Sequence, residues 1–550
     1  MKEEIVKCDV LCVGGGIAGL MAAIRAREMG ADVVVAEKAN TLRSGSAGAG
    51  NDHFQCYIPE VHGDFDFFWK ELFFGQLAGR LRLMDREYVR FWYENTYDIV
   101  KMWDKWGIPM KYEGRWEFAG HGFPGKQLNH LKYSGVDQKP VLTRQTLKSG
   151  AKIRNRVMVF DVLKNKDGSV AGAVGADVRD DKIVIFEAPS VILGTGGCLI
   201  MYPPVTAGAH YNRTGPITLS GDGRAMAYRA GAELKDLEIS KRHAGPKYFV
   251  RSGQATWVGV LRDRNGKPVG PFVTKPDRMY GDMTTEVSKA IYDQYAKSGK
   301  GPIYMDMNGI SQADLDYMVY WLLNEGNGGL LAHIAEEGID LSKAAVEFQT
   351  FDFNVSGGVR ANYRGETAVP GLYAAGDEVS GTISHAAVFG RSSGENAARH
   401  AKEVKGAGLD QARSEIEEKK ALLAEISARE NGPTWQEALS AMQQIMLDYC
   451  GAVRSETLLS AGLENIRRLR KKVRASLTAR NPHELMHCLQ VLNGLDIGEA
   501  TFFSALDRQE TRDFHVRADF TLTNPLLSDK VHMVKQVAGK PATEWRQVKA

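Results

Sequence analysis

Apolar residues near the start of the chain follow the pattern of a strand, a helix and a second strand. Ile5 to Val13 is an apolar, β-branched run of strand length, and Leu20 to Met29 is typical of a helix. Gly30 ends that helix, and Ala31 to Ala36 forms a second apolar run of strand length. A helix between two buried strands is a β-α-β unit, so the pattern predicts an α/β fold with a parallel sheet.

The turn between the first strand and the helix carries glycines at the spacing G-x-G-x-x-G. Gly14 permits a tight turn, Gly16 lets the backbone approach a pyrophosphate, and Gly19 allows helix and strand to pack closely. The helix start offers free N–H groups and the positive end of the helix dipole. After the second strand, Glu37 is placed to accept hydrogen bonds from ribose hydroxyls.

This unit therefore predicts a dinucleotide site, and the alternative is a glycine-rich turn in a ligand-free α/β domain. The candidate contacts in the unit are Gly14, Gly16, Ile17, Ala18, Gly19 and Glu37.

Three further runs, from Lys152 to Val159, Val170 to Val178 and Lys182 to Ala188, are typical of strands in a small sheet. The apolar strand Ser190 to Gly197 then ends in Thr-Gly-Gly and returns the chain to the nucleotide domain. Asp519 to Ala550 has no clear pattern and predicts a tail that lies on the body or on a partner.

The pattern changes near residue 240, where short strands and helices predict a separate α+β segment. Its strands are Trp257 to Leu261 and Ile303 to Met307, and its helices are Thr284 to Lys297 and Gln312 to Asn324. The chain from Gln411 onward is helical in pattern. The predicted organisation is therefore a nucleotide-binding domain in two parts, 1–239 and 351–408, with an inserted domain at 240–350 and a helical region and tail at 409–550.

Composition narrows the class of protein. The chain has 550 residues and a net charge of +3, which gives no support for nucleic-acid binding. No apolar run reaches the ~18 residues of a membrane-spanning helix, and no signal peptide precedes the first strand. The six cysteines are scattered and match neither zinc nor iron–sulfur spacing. These features predict a reducing, cytoplasmic setting and no metal site in the chain itself.

Several motifs occur in one order that resembles the flavoprotein subunit of the succinate dehydrogenase/fumarate reductase family. They are the glycine turn, Arg43-Ser44-Gly45, Leu193 to Gly197, Ser220 to Gly223, Gly371 to Asp377, and Glu510 to Phe520. The resemblance covers nearly the whole chain. It implies a Rossmann-like FAD-binding domain of the glutathione reductase type, a capping domain over the flavin, and a helical C-terminal region.

The resemblance also implies FAD contacts beyond the glycine turn. Asp222 has a helix cap as its alternative role, and Arg391 has a surface charge as its alternative. Gly390 to Asn396 is predicted to open a helix whose free N–H groups face the flavin. The implied contacts are Lys38, Arg43, Ser44, Gly45, Ser46, Gly50, Asn51, Thr195, Gly196, Gly197, Asp222, Gly376, Asp377, Arg391, Ser392 and Ser393.

At several positions the chain departs from the family pattern, and these positions concern the attachment of the flavin and the chemistry of the substrate. Members with covalently bound flavin have histidine where this chain has Gly45, so FAD is expected to be non-covalent. Thr285 stands at the place of the proton-donating arginine, and Phe353 at the place of a histidine that precedes Gly-Gly in the family, whereas His243 occupies the position of its substrate-binding histidine. A second arginine is also missing, because His385 is followed by Ala-Ala-Val-Phe. These changes argue against ordinary succinate or fumarate chemistry.

Within the family the chain is most similar to the adenylylsulfate reductase α subunit. That resemblance implies electron transfer to or from a separate ferredoxin-like iron–sulfur subunit, and the lack of cluster-binding cysteines fits an external donor. The candidate catalytic residues are His243, Arg242 and His385. The alternative for Arg242 and His243 is an exposed basic cluster, and for His385 a hydrogen-bonded core histidine.

The sequence therefore predicts an FAD-dependent oxidoreductase that exchanges electrons between a small anionic substrate and an iron–sulfur partner. Two alternatives stay open. One is a fumarate-reductase-like enoate reductase with a changed proton donor, and the other is a flavoprotein subunit that only relays electrons.

Overall fold

The computed structural model describes residues 1–76, 85–120, 127–203, 216, 218–247, 256–270, 273–280, 290–355, 357–404 and 408–548. The first ten strands are β1 (Lys2–Lys7), β2 (Val10–Val13), β3 (Val33–Glu37), β4 (His53–Gln55), β5 (His130–Lys132), β6 (Lys152–Asn155), β7 (Val157–Lys164), β8 (Val170–Asp177), β9 (Lys182–Glu187) and β10 (Ser190–Leu193). The others are β11 (Leu234–Lys235), β12 (Ser240–Pro246), β13 (Val260–Arg262), β14 (Ile303–Asp306), β15 (Ala345–Val355), β16 (Gly358–Val359), β17 (Leu372–Ala374), β18 (Lys530–Val537) and β19 (Lys540–Gln547).

The α-helices are α1 (Ile17–Glu28), α2 (Pro59–His62), α3 (Phe65–Lys70), α4 (Arg86–Glu94), α5 (Thr96–Trp106), α6 (Gln138–Lys148), α7 (Asp222–Ala230), α8 (Ala290–Lys297), α9 (Gln312–Asn324), α10 (Gly328–Glu336), α11 (Ile383–Glu403), α12 (Arg413–Ala428), α13 (Trp435–Tyr449), α14 (Glu456–Ser476) and α15 (Pro482–Asp507). None of the helices within the described ranges is long and apolar enough to cross a lipid bilayer.

A five-stranded parallel sheet in the order β17-β10-β2-β3-β6 forms the nucleotide-binding part. Strands β2, β3 and β10 are buried along their whole length, which is typical of parallel strands covered on both faces. The predicted β-α-β unit is confirmed as β2-α1-β3. Its carboxyl ends point to one edge of the sheet, where ligands bind in open α/β folds.

Two predicted strands are wrong in the same way, because each is divided between two sheets. Ile5 to Val13 is split into β1 and β2, and β1 pairs with β9 in the second sheet, β1-β9-β8-β7. Lys152 to Val159 is likewise split into β6 and β7 at Arg156, whose φ of +67° bends the chain. The breaks fall at polar positions, Asp9 in the first run and Arg156 in the second, but one polar residue inside a run does not mark a change of sheet.

The inserted segment has its own antiparallel sheet in the order β12-β15-β14-β13, accompanied by α8 to α10. Its apolar core is separate from the main one and contains Trp257, Met305, Met318 and Phe348. The predicted helix from Gln312 to Asn324 is confirmed as α9.

The C-terminal region contains the predicted helices as α12 to α15, but its end is not a patternless tail. Strands β18 and β19 form a hairpin that extends the small sheet β16-β11-β18-β19. The hairpin turns at Ala538 and Gly539, both with positive φ, and Arg546 on β19 pairs with Glu233 at 2.7 and 2.8 Å. Ala-Gly is a weaker turn signal than Asn-Gly, which is why the sequence pattern missed it.

The long helix α11 packs along α1 and corrects another prediction. A helix starting at Gly390 is wrong, because α11 begins at Ile383 and passes through Gly390 and Gly394. A Cβ on Gly390 would lie 2.5 Å from the Ala18 carbonyl oxygen, and one on Gly394 would lie 2.2 Å from that of Ala22. These glycines are therefore required for close helix packing, and the N–H groups around residue 391 lie inside the helix.

Gly19 and Gly329 offer a matched test of close packing, since both lie in helices. A Cβ at position 19 would lie 1.9 Å from the Gly14 carbonyl oxygen, whereas one at position 329 would meet nothing within 4 Å. We expect Gly19→Ala to lower the free energy of unfolding by on the order of 2–3 kcal/mol in spite of the better helix propensity of alanine. Gly329→Ala should be neutral or stabilising by about 0.5–1 kcal/mol.

Urea unfolding followed by circular dichroism measures both variants. Equal stability of the two would contradict the packing role of Gly19.

Candidate active site

One cavity opens where strands β2, β3, β10 and β17 end. The segments that follow these four strands line the cavity, and the loop after β3 is the segment among them that reaches from Lys38 to Asn51. Of the residues expected to contact the cofactor, those that line the cavity are Gly14, Gly16, Ile17, Ala18, Glu37, Lys38, Ser44, Gly45, Ser46, Asn51, Thr195, Gly196, Gly197, Asp222, Gly376 and Asp377. The tertiary structure thus brings together segments more than 300 residues apart.

The backbone of the glycine turn packs closely against the residue that follows β10. Gly14 has a φ of +97°, and a Cβ there would lie 2.5 Å from the Gly194 carbonyl oxygen at the end of β10. Gly16 is the N-cap of α1, and the first turn of that helix has neither a capping side chain nor an acidic residue. The backbone amides in the first turn of α1 are therefore available to an anionic group such as a pyrophosphate. Gly19 contributes packing and does not line the cavity.

Glu37 is nearly buried and held by two backbone amides. Its Oε2 accepts from the Gly15 N–H and its Oε1 from the Ala39 N–H, both at 2.7 Å. Each carboxylate oxygen has a further lone pair, so the group can also accept from ribose hydroxyls. Lys139, which the sequence pattern missed, lines the same wall and donates to the Gly15 carbonyl oxygen. Burial lowers the pKa of Lys139 to about 8, although Glu37 acts in the opposite direction.

Lys38 and Asp222 form one ion pair in the cavity wall. The Lys38 ammonium lies 2.6 Å from Asp222 Oδ2 and 2.8 Å from Ser220 Oγ. Asn493 from α15 donates to the other Asp222 oxygen at 2.8 Å. Gly221, not Asp222, is the N-cap of α7. The carboxylate therefore joins the nucleotide domain to the C-terminal helices.

The loop after β3 is suited to the FAD that the family resemblance implies. A Cβ on Gly45 would lie 3.9 Å from Gly16 Cα, so this loop folds back against the glycine turn. The hydroxyl of Ser44 is buried, lines the cavity and has no hydrogen-bond partner among the described residues. An unpaired hydroxyl and free helix amides around one cavity are donors that a dinucleotide can satisfy.

Arg43 and Gly50 lie outside the cavity lining. Arg43 is half exposed and donates to the Val136 carbonyl oxygen and to Asp137. Gly50 has a φ of +140°, and a Cβ there would lie 2.2 Å from the Asn324 carbonyl oxygen in the inserted segment. Gly50 is therefore required where the loop contacts the end of α9. A cofactor contact by either residue stays a prediction.

Arg391, Ser392 and Ser393 also lie away from the lining, within α11. Arg391 pairs with Glu28 of α1 at 2.9 Å. Ser392 donates to the Tyr363 carbonyl oxygen at 2.7 Å, and Ser393 donates to that of Ala374 at 3.4 Å. The described contacts of these three residues are thus with protein groups, and their contact with FAD stays a prediction.

His385 is fully buried behind the cavity wall. Its Nε2 lies 2.7 Å from the Tyr88 hydroxyl, and Trp92 and Phe389 pack against the ring. Burial lowers the pKa of His385 to about 3, so the ring is neutral at physiological pH. This geometry is that of the hydrogen-bonded core histidine, whereas its neighbours Ile383 and Ala386 line the cavity.

The backbones of Arg242 and His243 lie in β12, paired with Asp352 and Phe351 of β15. Their side chains and that of Phe353 are outside the described part, as is Thr285. The catalytic roles expected for Arg242 and His243 therefore remain predictions.

The polar end of the cavity contains residues that were not among the predicted cofactor contacts or catalytic candidates. Strands β4 and β5 pair so that Gln55 lies opposite His130, with 3.0 Å between the two Nε2 atoms. His53 on β4 and Glu325 after α9 line the same end. Phe54 is buried between two half-buried polar residues, and this alternation is typical of a β-strand. The strand that pairs with it lies 75 residues away, so the sequence does not indicate the pairing.

Glu378 is a buried carboxylate directly behind the cavity wall. Its Oε2 accepts from the N–H of Thr195 at 2.9 Å and from the Thr195 hydroxyl at 2.6 Å. Its Oε1 is buried without a hydrogen bond among the described residues. Burial raises the pKa of Glu378 from its ordinary 4.5 to about 7, and nearby Arg224 only partly opposes this.

This raised pKa predicts a pH dependence of stability. The folded state holds the Glu378 proton up to about pH 7 while the unfolded chain loses it near pH 4.5. The stabilisation is therefore complete below pH 4.5 and is lost as pH rises to about 7, a total of ~3 kcal/mol. Glu378→Gln should remove this component, which is measured by comparing the pH slopes of urea unfolding for the two proteins. Identical slopes would contradict it.

Two family models match the chain. The one described as FAD binding domain covers residues 9–394, and the one described as fumarate reductase flavoprotein C-term covers residues 439–550. A relative from Methanothermobacter marburgensis, named as one subunit of a fumarate reductase (CoM/CoB), is 27% identical over 557 aligned positions, which cover 96% of each chain.

Solved structures share the fold along the whole chain. A mutant quinol fumarate reductase of Escherichia coli has a TM-score of 0.85 at 21% identity and covers 100% of this chain and 97% of that one. Adenylylsulfate reductase from Archaeoglobus fulgidus has a TM-score of 0.82 at 22% identity, with coverage of 100% and 96%. Together with the glycine turn and the cavity, the family models show that the chain belongs to the succinate dehydrogenase/fumarate reductase flavoprotein family of FAD-dependent oxidoreductases.

Proposed function

We propose that this chain is a flavoprotein subunit that exchanges electrons between a small anionic substrate and a separate iron–sulfur protein. The observation that carries the proposal is the continuity of the cavity. It extends from the glycine turn to a polar end lined by His53, Gln55, His130 and Glu325. A subunit that only relayed electrons would need no such polar end.

The cavity residues have distinct roles in this proposal. The start of α1 would bind the pyrophosphate of FAD, Glu37 the ribose, and Ser44 to Ser46 the flavin side of the loop. When bound, FAD supplies the redox chemistry by accepting and releasing electrons. The protein orients the substrate, provides charge and excludes water.

An anionic substrate is supported by the groups at the polar end. Helix α11 starts at Ile383 beside the cavity, with Thr382 as an N-cap that forms no capping side-chain bond and with no acid in the first turn. The amides at this start and the imidazole of His53 can donate to an anion. Asp52 and Glu325 are acids at this end. Asp52 pairs with Lys132 at 2.9 Å, and Glu325 accepts from the Asp52 N–H at 2.9 Å. Arg242 and His243 would add further donors from β12.

An iron–sulfur partner is supported by what the chain lacks. All six cysteines are buried, and none of them forms a disulfide within the described part of the chain. The cluster of possible metal ligands found among the described residues contains no cysteine. Because an iron–sulfur cluster needs several cysteine ligands, the single-electron carrier would have to be another protein. The relative from M. marburgensis is itself named as one subunit of a reductase.

The proposed substrate is adenylylsulfate-like, a proposal supported by the Arg-Ser-Gly motif and by the family arginine and histidine that are absent from the sequence. An enoate reductase is the second candidate, favoured by relatives that are named fumarate reductases. A flavin absorbance titration with sulfite, AMP, adenylylsulfate and fumarate separates the two. Bleaching by sulfite and a spectral change with AMP are expected.

Reoxidation of the reduced flavin by fumarate, with no response to sulfite or AMP, would instead support the enoate reductase. An absorbance spectrum of the flavin that changes with none of the four compounds would contradict both enzyme candidates and support a relay subunit.

FAD is expected to be non-covalent, because Gly45 has no side chain with which to form a bond to the flavin. Acid precipitation should therefore leave the flavin in the supernatant, and the intact mass of the protein should equal that of the polypeptide. A yellow pellet with the flavin mass added to the chain would contradict this prediction.

A further inference from the structure

Asp52 and His53 form a hydrogen-bonded pair at the polar end of the cavity. His53 Nδ1 lies 2.7 Å from Asp52 Oδ1, and the His53 side chain is 12% exposed while that of Asp52 is fully buried. His53 lines the cavity, whereas Asp52 lies behind it. This is the arrangement in which a buried carboxylate orients an imidazole toward a substrate.

Asp52 is held in place from several sides. Its Oδ2 lies 2.9 Å from the Lys132 ammonium and accepts from the Thr256 hydroxyl at 2.7 Å. Its backbone N–H donates to Glu325 Oε2 at 2.9 Å. Lys132 is also fully buried, so its charge balances that of Asp52 inside the protein. The carboxylate can therefore neither turn away from His53 nor reach solvent.

This environment determines which nitrogen of His53 faces the cavity. Because a carboxylate only accepts hydrogen bonds, Nδ1 donates its proton to Asp52, and Nε2 is the ring nitrogen on the cavity side. Among the residues that the structure describes, the titratable and charged groups around the ring are Asp52, His130 and Lys132 on β5, and Glu325 after α9. The Gln55 amide donates to His130 Nε2 at 3.0 Å.

The same atoms could be considered for a metal ion, since ligand atoms of Asp52, His53 and Glu325 lie within 4.8 Å of one another. The Lys132 ammonium beside Asp52 opposes a second cation there, and Glu325 already accepts a backbone N–H. Proton transfer therefore suits this group better than metal binding.

We infer that His53 is the catalytic acid–base residue of this cavity and that Asp52 and Lys132 are its positioning residues. The inference rests on the proposed function. When the substrate is reduced, one of its atoms gains an electron pair. Protonated His53 then gives its Nε2 proton to that atom. The imidazole becomes neutral and regains a proton from water, and in the oxidative direction it takes the proton back.

The first test is the tautomer of His53 in the flavin-bound protein. With ¹⁵N-labelled histidine, the NMR spectrum at a pH where imidazoles are neutral should contain one Nδ1–H ring that is absent in His53→Asn. Asp52→Asn should shift that ring toward the Nε2–H form. A His53 ring in the Nε2–H form in the unmodified protein would overturn the inference, whatever the substrate is.

The second test is the rate at which reduced flavin is reoxidised by adenylylsulfate and by fumarate, measured by stopped flow. His53→Asn keeps an amide donor for Asp52 but removes Nε2, so the rate should fall about 10²–10⁴-fold with little change in the concentration for half-saturation. His333→Gln, on the exposed side of α10, is the matched control and should not alter the rate.

A His53→Asn rate within about threefold of the unmodified protein would overturn the catalytic role. If neither compound reoxidises the flavin, the proposed function fails for these substrates, and the NMR result alone decides the inference. Because Asp52→Asn leaves Lys132 buried without its partner, the double variant Asp52→Asn with Lys132→Met provides a charge-neutral pair for the same NMR measurement.

Discussion

The close backbone contact around α1 is the constraint on which the rest of the structure depends. On one side the helix start approaches the turn at Gly14, which itself contacts the carbonyl of Gly194. On the other side α1 meets α11 at Gly390 and Gly394. These contacts bring the ends of β2, β10 and β17 to one edge and place the start of α11 beside the same cavity. A side chain at any of these glycines would separate the layers that form the site.

A second contact joins the nucleotide-binding part to the inserted segment. The loop after β3 meets the end of α9, where Gly50 approaches the Asn324 carbonyl oxygen and Gly326 approaches that of Ala49. The hydrogen bond from Asp52 to Glu325 continues this contact into the cavity. The loop after β3 therefore lines the cofactor end of the cavity and leads directly into β4, which supplies His53 and Gln55 to the polar end.

Charge inside the protein is compensated locally along this cavity. Lys38 pairs with Asp222, Lys132 pairs with Asp52, and Glu37 accepts from two backbone amides. Glu378 is the contrast, since its burial favours the protonated form. Because these ionised groups have fixed partners, their charges keep fixed positions and act on a bound ligand from constant directions. Their effect is strongest where water is largely excluded. The cavity thus combines a glycine-rich cofactor cradle with a polar end.

The sequence alone determined the β-α-β unit, the helical C-terminal region and the family, because glycine spacing and apolar periodicity are local signals. Most of the cofactor contacts that it predicted also line the cavity. It could not reveal that the helix containing Gly390 and Gly394 begins as early as Ile383, or that Asp519 to Ala550 contains a hairpin. The contacts of Asp52 with Lys132 and with Glu325 were decided only by the tertiary structure. Those contacts join residues 80 to 273 positions apart, and no local pattern encodes them.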